Sequence, residues 1–286
     1  MNNDNNDNDS RILVDGLAFP EAPRWHEDAL WFSDFYTHKV HRIAGDGTLD
    51  TIAEVPGQPS GLGWMPDGSL LVVSMHDRRV LRMTEGGLVT HAALDRHTGS
   101  LCNDMVVDAQ GRAYVGNFGF DMLNREAPKP TVLLMVSPDG ETRIAADKLL
   151  FPNGCVITPD GGTLIVAETF GRRLTAFDIA PDGSLEKRRT WAELGDASPD
   201  GICLDAEGAV WVASPPTSEF LRVHEGGRVS ERIAVSGQAI ACALGGPERR
   251  TLFMVMGKVA RAPRALAERN GRIEARQVAV GGAGLP

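Results

Sequence analysis

The sequence predicts an all-β chain, a six-bladed β-propeller with four antiparallel strands per blade and a ring closed by pairing of its two terminal segments. Three observations predict it. A short motif recurs six times at intervals of about 40 to 50 residues, the span expected when one four-stranded blade is one repeat. Each recurrence holds two short apolar runs separated by a turn, and apolar periodicity of the helical kind is confined to a weak stretch near Arg264 to Arg269. The 32 glycines and 17 prolines are dispersed over turns rather than pooled in a linker, which suits many short strands and one large unit.

The elements follow in order. Residues Met1 to Ser10 are almost wholly Asn and Asp, too polar to offset their own ordering entropy, so residues 1–10 read as a disordered tail and residues 11–286 as a single propeller domain. Ile12 to Val14 form a leading strand expected to pair with Arg276 to Val280, which removes the open edges of the ring. Each repeat then opens on an anchor, with an apolar residue four positions later. Glu21 leads to Trp25 and then to Leu30-Trp31-Phe32-Ser33; Ser60 leads to Trp64 and Leu70-Leu71-Val72-Val73; Asn103 leads to Val107 and Ala113-Tyr114-Val115-Gly116. Asn153 leads to Ile157 and Leu164-Ile165-Val166-Ala167, Asp200 to Leu204 and Val210-Trp211-Val212-Ala213, and Ile240 to Leu244 and Leu252-Phe253-Met254-Val255. Turns such as Pro66-Asp67-Gly68 and Pro159-Asp160-Gly161 part the first strand from the second, and Gly45-Asp46-Gly47 or Pro138-Asp139-Gly140 the third from the fourth; glycine supplies the positive φ that such turns need.

Composition excludes several functions. A formal net charge of −9 and the lack of a basic stripe with interleaved aromatics exclude nucleic acid as a partner. No charged segment precedes an apolar one at the start, and no apolar run reaches the roughly 18 residues of a membrane span, so no membrane partner is expected and a cytoplasmic location is. No feature specifies an oligomeric state. Cys102, Cys155, Cys203 and Cys242 lie beside four of the anchors without a Cys-x-x-Cys pair, and read as buried free thiols acting as small hydrophobes. Nucleophile-elbow, P-loop and dinucleotide-binding fingerprints are absent, which removes serine hydrolases, nucleotide hydrolases and Rossmann oxidoreductases.

A repeat position in a closed ring becomes a circle in space, so the anchors should face one another at one end of the axis. Glu21, Asn153 and Asp200 would then present two carboxylates and an amide oxygen, whose charges repel unless a cation lies between them. Asn and Asp also cap strand ends, and any one of these residues alone would read that way. Three at equivalent positions, with Asn103 as a fourth, point instead to a divalent metal centre. An oxygen-only set favours Ca²⁺, with Mg²⁺ and Mn²⁺ close behind and Fe²⁺ or Zn²⁺ admissible. Of the seven histidines, His76, at the end of a second strand, is the one placed to reach such a pocket.

At these residues the chain resembles a known family. Phe19-Pro20-Glu21-Ala22-Pro23-Arg24-Trp25, Asn103-Asp104, Phe151-Pro152-Asn153-Gly154 and Pro199-Asp200-Gly201 are similar to the signatures of the senescence-marker-protein/gluconolactonase/luciferin-regenerating-enzyme family of six-bladed propellers. The resemblance implies a metal-dependent lactonase acting on a small-molecule lactone. It implies that Glu21, Asn153 and Asp200 ligate the metal, that Asp200 is also the general base, and that Asn103 lines the substrate site. Asp104 is the nearest alternative base in sequence.

The departures from that family concern the substrate. Sugar-lactonase members carry an arginine two positions before the Asn103 equivalent, where this chain has Leu101, and an acidic residue that aligns near Asp121. Phe35, Tyr36, Phe118, Phe120 and Phe170 follow second strands, and Phe151 precedes Asn153. Each ring alone could cover the core between blades. Gathered at one mouth, they predict an apolar pocket with Leu101, Phe118, Phe170 and Asp121 among the substrate contacts, suited to a hydrophobic rather than a sugar lactone. Two alternatives use the same ring: a metal-dependent phosphotriester hydrolase, and a non-catalytic calcium-binding regulatory propeller.

Overall fold

The computed structural model describes residues 10–283; residues 1–9, which make up nearly all of the expected tail, lie outside the described residues. Six four-stranded antiparallel sheets make the six blades. The innermost strands are Pro20–His26, Pro59–Trp64, Cys102–Val107, Pro152–Ile157, Ile202–Leu204 and Gln238–Gly245, and each contacts the innermost strand of the next blade around a closed cycle. Five blades are meanders of consecutive strands. In the sixth, the N-terminal strand Arg11–Leu17 is outermost and pairs with Gly271–Gln277.

The termini therefore close the ring, with a shifted partner segment. Ile12 lies opposite Glu274 and Val14 opposite Ile273, whereas Arg276 is paired with Leu252 on its other side and Val278 has left the ladder. Burial explains the shift, since Ile273 and Ala275 are the apolar pair that this strand turns into the core. The weak helical stretch is real: Ala262–Glu268 is a helix, with Pro263 in its first turn, where a missing N–H costs nothing. Among the described residues no helix is long and apolar enough to cross a membrane.

The core is divided among the seams between blades. Val40 and Val55 of the first blade meet Leu62, Leu70 and Val72 of the second; Leu71 and Val73 meet Met105, Val107 and Val115 of the third; the pattern repeats to the sixth blade, where Phe253 and Val255 meet Leu30 and Phe32 of the first. The strands next to the axis are buried along nearly all of their length on both faces, so their apolar residues do not alternate with exposed ones. Burying a Val, Leu or Phe here contributes about 1.5–3 kcal/mol, so each seam is held by several such side chains. All four cysteines are free and buried, and desolvation pushes the Cys102 thiol up to about 12, the behaviour of an inert small hydrophobe.

The innermost strands are irregular where they start. Pairing slips between Glu21 and Arg24, Pro59 and Leu62, Cys102 and Met105, Pro152 and Cys155, and Ala239 and Ala241. These are β-bulges at the anchor of five blades, and a bulge re-aims the side chain beside it. In the first blade the bulge puts Ala22 at φ 47, immediately after Glu21.

Candidate active site

At this end of the axis lies a cavity of about 480 Å³ whose lining includes Glu21, Asn103, Asn153 and Asp200. Glu21, Asn103 and Asn153 stand at such bulges, whereas Asp200 lies just before its strand Ile202–Leu204, whose pairing is regular; Ser60 and Ile240, the other two anchors, are buried without lining the cavity. Neighbouring blades are stitched together beside them. The Gly154 N–H donates to Asp200 O (3.2 Å) and the Gly201 N–H to Ile240 O (2.9 Å). Both glycines are required by this approach, because a Cβ on Gly154 would lie 2.7 Å from the Ile202 nitrogen and one on Gly201 2.4 Å from the Ala241 Cβ.

Hydrogen bonds fix the anchors. Asn153 Nδ2 donates to Asp200 Oδ1 (2.5 Å) and to Thr169 Oγ1 (3.2 Å), and Thr169 in turn donates to Pro199 O (2.7 Å). The Ala22 N–H donates to Glu21 Oε2 (3.0 Å). Ser60 Oγ donates to Asn103 Oδ1 (3.4 Å), so the hidden anchor of the second blade orients the visible one of the third. Asn103 Nδ2 is left buried with no partner.

The wall comes from two further repeat positions. Two residues before the anchors stand Phe19, Gln58, Leu101, Phe151 and Ser198, and all five line the cavity. Directly after the second strands stand Phe35 and Tyr36, Met75 and His76, Phe118, Thr169 and Phe170, and Pro215 and Pro216, which line it too. Asp34, the last residue of its strand, accepts from the backbone nitrogens of Ala18 (3.0 Å) and Phe19 (2.7 Å) and sets the approach to Glu21. Phe118 packs on Phe151 with ring centroids 4.5 Å apart, and Phe151 on Phe170 at 5.5 Å. Phe120 does not line the cavity but backs Phe170 at 5.1 Å.

The described family model for the SMP-30/gluconolactonase/LRE-like region matches residues 19–258. The chain belongs to this family. Among its relatives, a 6-deoxy-6-sulfogluconolactonase of Pseudomonas putida is 26% identical over 258 residues, covering 87% of this chain and 86% of the relative. A pentonolactonase of Haloferax volcanii is 26% identical over 255 residues, covering 86% and 84%. In fold, the chain matches the crystal structure of a calcium-binding protein, regucalcin, from Agrobacterium tumefaciens, with a TM-score of 0.82 at 21% identity, covering 98% of this chain and 97% of that one.

In this member of the SMP-30/gluconolactonase/LRE-like family the anchors create an electrostatic problem. Burial first, then the charges of Asp200 and Asp104, hold the Glu21 carboxyl well above its ordinary value, and burial pushes Asp200 up to about 8 against the opposing hydrogen bond from Asn153. Among the described residues no lysine or arginine lines the cavity. Arg24, buried nearby, spends its donors on Leu62 O (3.1 Å), Pro23 O (2.9 Å), Asp104 Oδ1 (2.5 Å) and Met105 O (2.7 Å). Among the described residues no three His, Cys, Asp or Glu side chains converge, so an ion here would take two carboxylates and complete its set from amide oxygens. The donors are all hard oxygens and fit a divalent cation: Glu21 and Asp200 would hold it, with Asn153, whose nitrogen is spent on Asp200 and Thr169, offering its oxygen.

The remaining residues singled out in the sequence fall as follows. Leu101, Phe118 and Phe170 line the cavity, and so does His76. Asp121 does not: it is exposed and caps the 3₁₀ turn Met122–Asn124 by accepting from the Asn124 nitrogen (3.0 Å). Asp104 is buried outside the lining, where it accepts from Arg24 and from the Met105 N–H (2.8 Å). The lining residues Gln58, Thr169, Ser198, Pro215 and Pro216 were not singled out from sequence; the signal that marks them is their register relative to anchor and strand.

Proposed function

We propose that the chain is a divalent-cation-dependent hydrolase that opens lactone rings, and that its lactone is apolar rather than polyhydroxylated. The observation that carries this reading is the pair of buried carboxylates, Glu21 and Asp200, in a cavity lined mainly by apolar side chains, aromatic rings among them, and, among the described residues, without a lysine or arginine. Relatives named as lactonases support the reaction class.

Bound between Glu21, Asn153 and Asp200, the cation would supply Lewis acidity toward the lactone carbonyl. The residues supply the rest. Asp200, its carboxylate oriented by the Asn153 amide, takes a proton from the attacking water. Asn103, which lines the cavity with its Oδ1 held by Ser60, orients the substrate. Water oxygen bonds to the carbonyl carbon, the ring C–O bond breaks, and the proton held by Asp200 passes to the departing alkoxide, giving a hydroxy acid. Phe118, Phe151 and Phe170 cover the substituent and exclude water.

The test is hydrolysis of gluconolactone, of alkyl- and aryl-substituted γ- and δ-lactones and of phosphotriesters by protein stripped of metal and then loaded with Ca²⁺, Mg²⁺, Mn²⁺, Fe²⁺ or Zn²⁺. Cation-dependent opening with the alkyl or aryl lactones ahead in kcat/KM is expected. Faster phosphotriester cleavage, or full activity without metal, overturns the reading.

A further inference from the structure

The cavity has one wall unlike the rest. Blades one, three and four face it with Phe19, Phe35, Leu101, Phe118 and Phe151, whereas the second blade presents Gln58 and His76 beside Met75. His76 Nε2 lies 2.9 Å from Gln58 Oε1. An amide oxygen can only accept, so the imidazole proton sits on Nε2 and Nδ1 is left as an acceptor. Gln58 Nε2 keeps its two protons. Neither Gln58 Nε2 nor His76 Nδ1 has a protein partner among the described residues.

The backbone under Gln58 is unusual as well. Gln58 stands at φ 67, a left-handed conformation that favours glycine, yet it is pinned there by its N–H on Val55 O (3.0 Å) and by the Met75 N–H on its own carbonyl (2.9 Å). His76 is pinned beside it through its N–H on Gly57 O (2.9 Å). Glycine would relieve the conformation, so what the position gains from glutamine is the side chain.

We propose that Gln58 and His76 recognise a secondary amide on the substrate, Gln58 Nε2 donating to its carbonyl and His76 Nδ1 accepting from its N–H. This rests on the lactone reading above and narrows it to lactones whose ring carries an acylamino chain. The lactone end takes the anchors, the amide takes the polar wall, and the acyl chain takes the aromatic one. A plain alkyl chain would leave this donor and acceptor facing apolar carbon, a polyol would leave the aromatic wall facing hydroxyls, and only the acylamino chain satisfies both.

The experiment compares two lactones of equal ring and chain length, one with an amide link and one with two methylenes in its place. In the unmodified protein kcat/KM for the amide is expected to be higher by about tenfold, the scale of one or two net hydrogen bonds. His76→Phe and Gln58→Gly should bring the ratio to about one, and His91→Gln, outside the cavity, should leave it unchanged. Gln58→Gly relaxes the left-handed backbone, so its Tm should hold or rise while the preference disappears; a residue kept only for structure would show the opposite. A wild-type ratio near one, or a preference that survives both substitutions, overturns the proposal. If no lactone opens with any cation, the lactone reading fails by itself, and calorimetric binding of the matching lactams decides the amide site: tighter binding of the acylamino lactam, lost in both variants, supports it, and equal binding refutes it.

Discussion

Asn153 Nδ2 sits 2.5 Å from Asp200 Oδ1, across the seam between the fourth and fifth blades. The bond makes the two anchors one unit: it orients the aspartate, opposes the rise that burial imposes on its carboxyl, and leaves the amide oxygen as the group Asn153 has to offer. Two roles meet on Asp200, ligand and base, and they separate on substitution. Asp200→Asn retains an oxygen donor and the volume but cannot accept a proton. Metal occupancy at saturating ion should persist while kcat falls by roughly 10² or more. Elemental analysis with steady-state kinetics checks this, and full occupancy with near wild-type turnover would remove Asp200 from the role of base.

Stability should depend on pH in opposite senses with and without metal. The folded-state values of Glu21, Asp104 and Asp200 lie above their ordinary values, the last at about 8, so without a cation the folded chain binds protons more tightly than the unfolded one. The contribution of these groups is fully present below about pH 4 and is lost as pH rises toward 8. A bound cation favours the ionised forms and should add about 2.7 kcal/mol at a hundred times its Kd, expressed as a Tm gain that grows from pH 5 to pH 8. Glu21→Gln should weaken that gain by removing one of the two carboxylates. Melting curves of stripped and loaded protein across this range test it; a gain that shrinks as pH rises would contradict the site.

Asp104 has a structural duty that its neighbour Asn103 does not share. It is buried against the Arg24 guanidinium at 2.5 Å, and without its charge that arginine is left buried and uncompensated. Asp104→Asn should therefore cost about 3–5 kcal/mol of stability, the usual consequence of breaking a buried pair from one side. In loaded protein kept below its lowered Tm, kcat should change far less than in Asp200→Asn. A variant with unaltered melting and a collapsed kcat would make Asp104 a member of the reacting group.

The fold and the floor of the site were legible because both rest on register. A motif recurring in one register through six repeats fixes blade number and places Glu21, Asn103, Asn153 and Asp200 at one end of the axis. The same register two residues earlier yields Phe19, Gln58, Leu101, Phe151 and Ser198, a second ring that could have been read but whose residue types share no chemistry. What was not legible depends on geometry with no repeat. Asp121 lies in an exposed turn whose direction no periodicity fixes. The salt bridge of Asp104 depends on a bulge that turns Asn103 inward and its neighbour into the seam. The C-terminal strand slipped by a few residues because burial of Ile273 and Ala275, rather than proximity to the end, sets its pairing.

Leu101 is where substrate choice can be moved. Its carbonyl accepts from the Phe118 N–H at 2.9 Å, which fixes the backbone, so that a substitution changes the side chain offered to the cavity and little else. Leu101→Arg places a cation with several donors beside Asn103, next to the wall formed by Phe118 and Phe151. An alkyl substituent then loses apolar contact at about 0.8 kcal/mol per buried methylene, and two methylenes are enough for a fall in kcat/KM of roughly tenfold. A polyhydroxylated lactone gains hydrogen bonds at the same place, so its kcat/KM should rise and the ratio between the two substrates move by more than either alone. Both substrates must be measured at one saturating cation concentration, because an arginine near Glu21 and Asp200 also competes electrostatically with the ion. A variant in which both lactones slow by the same factor would show that Leu101 acts on the cation or on the fold, and that selectivity is decided elsewhere on the wall.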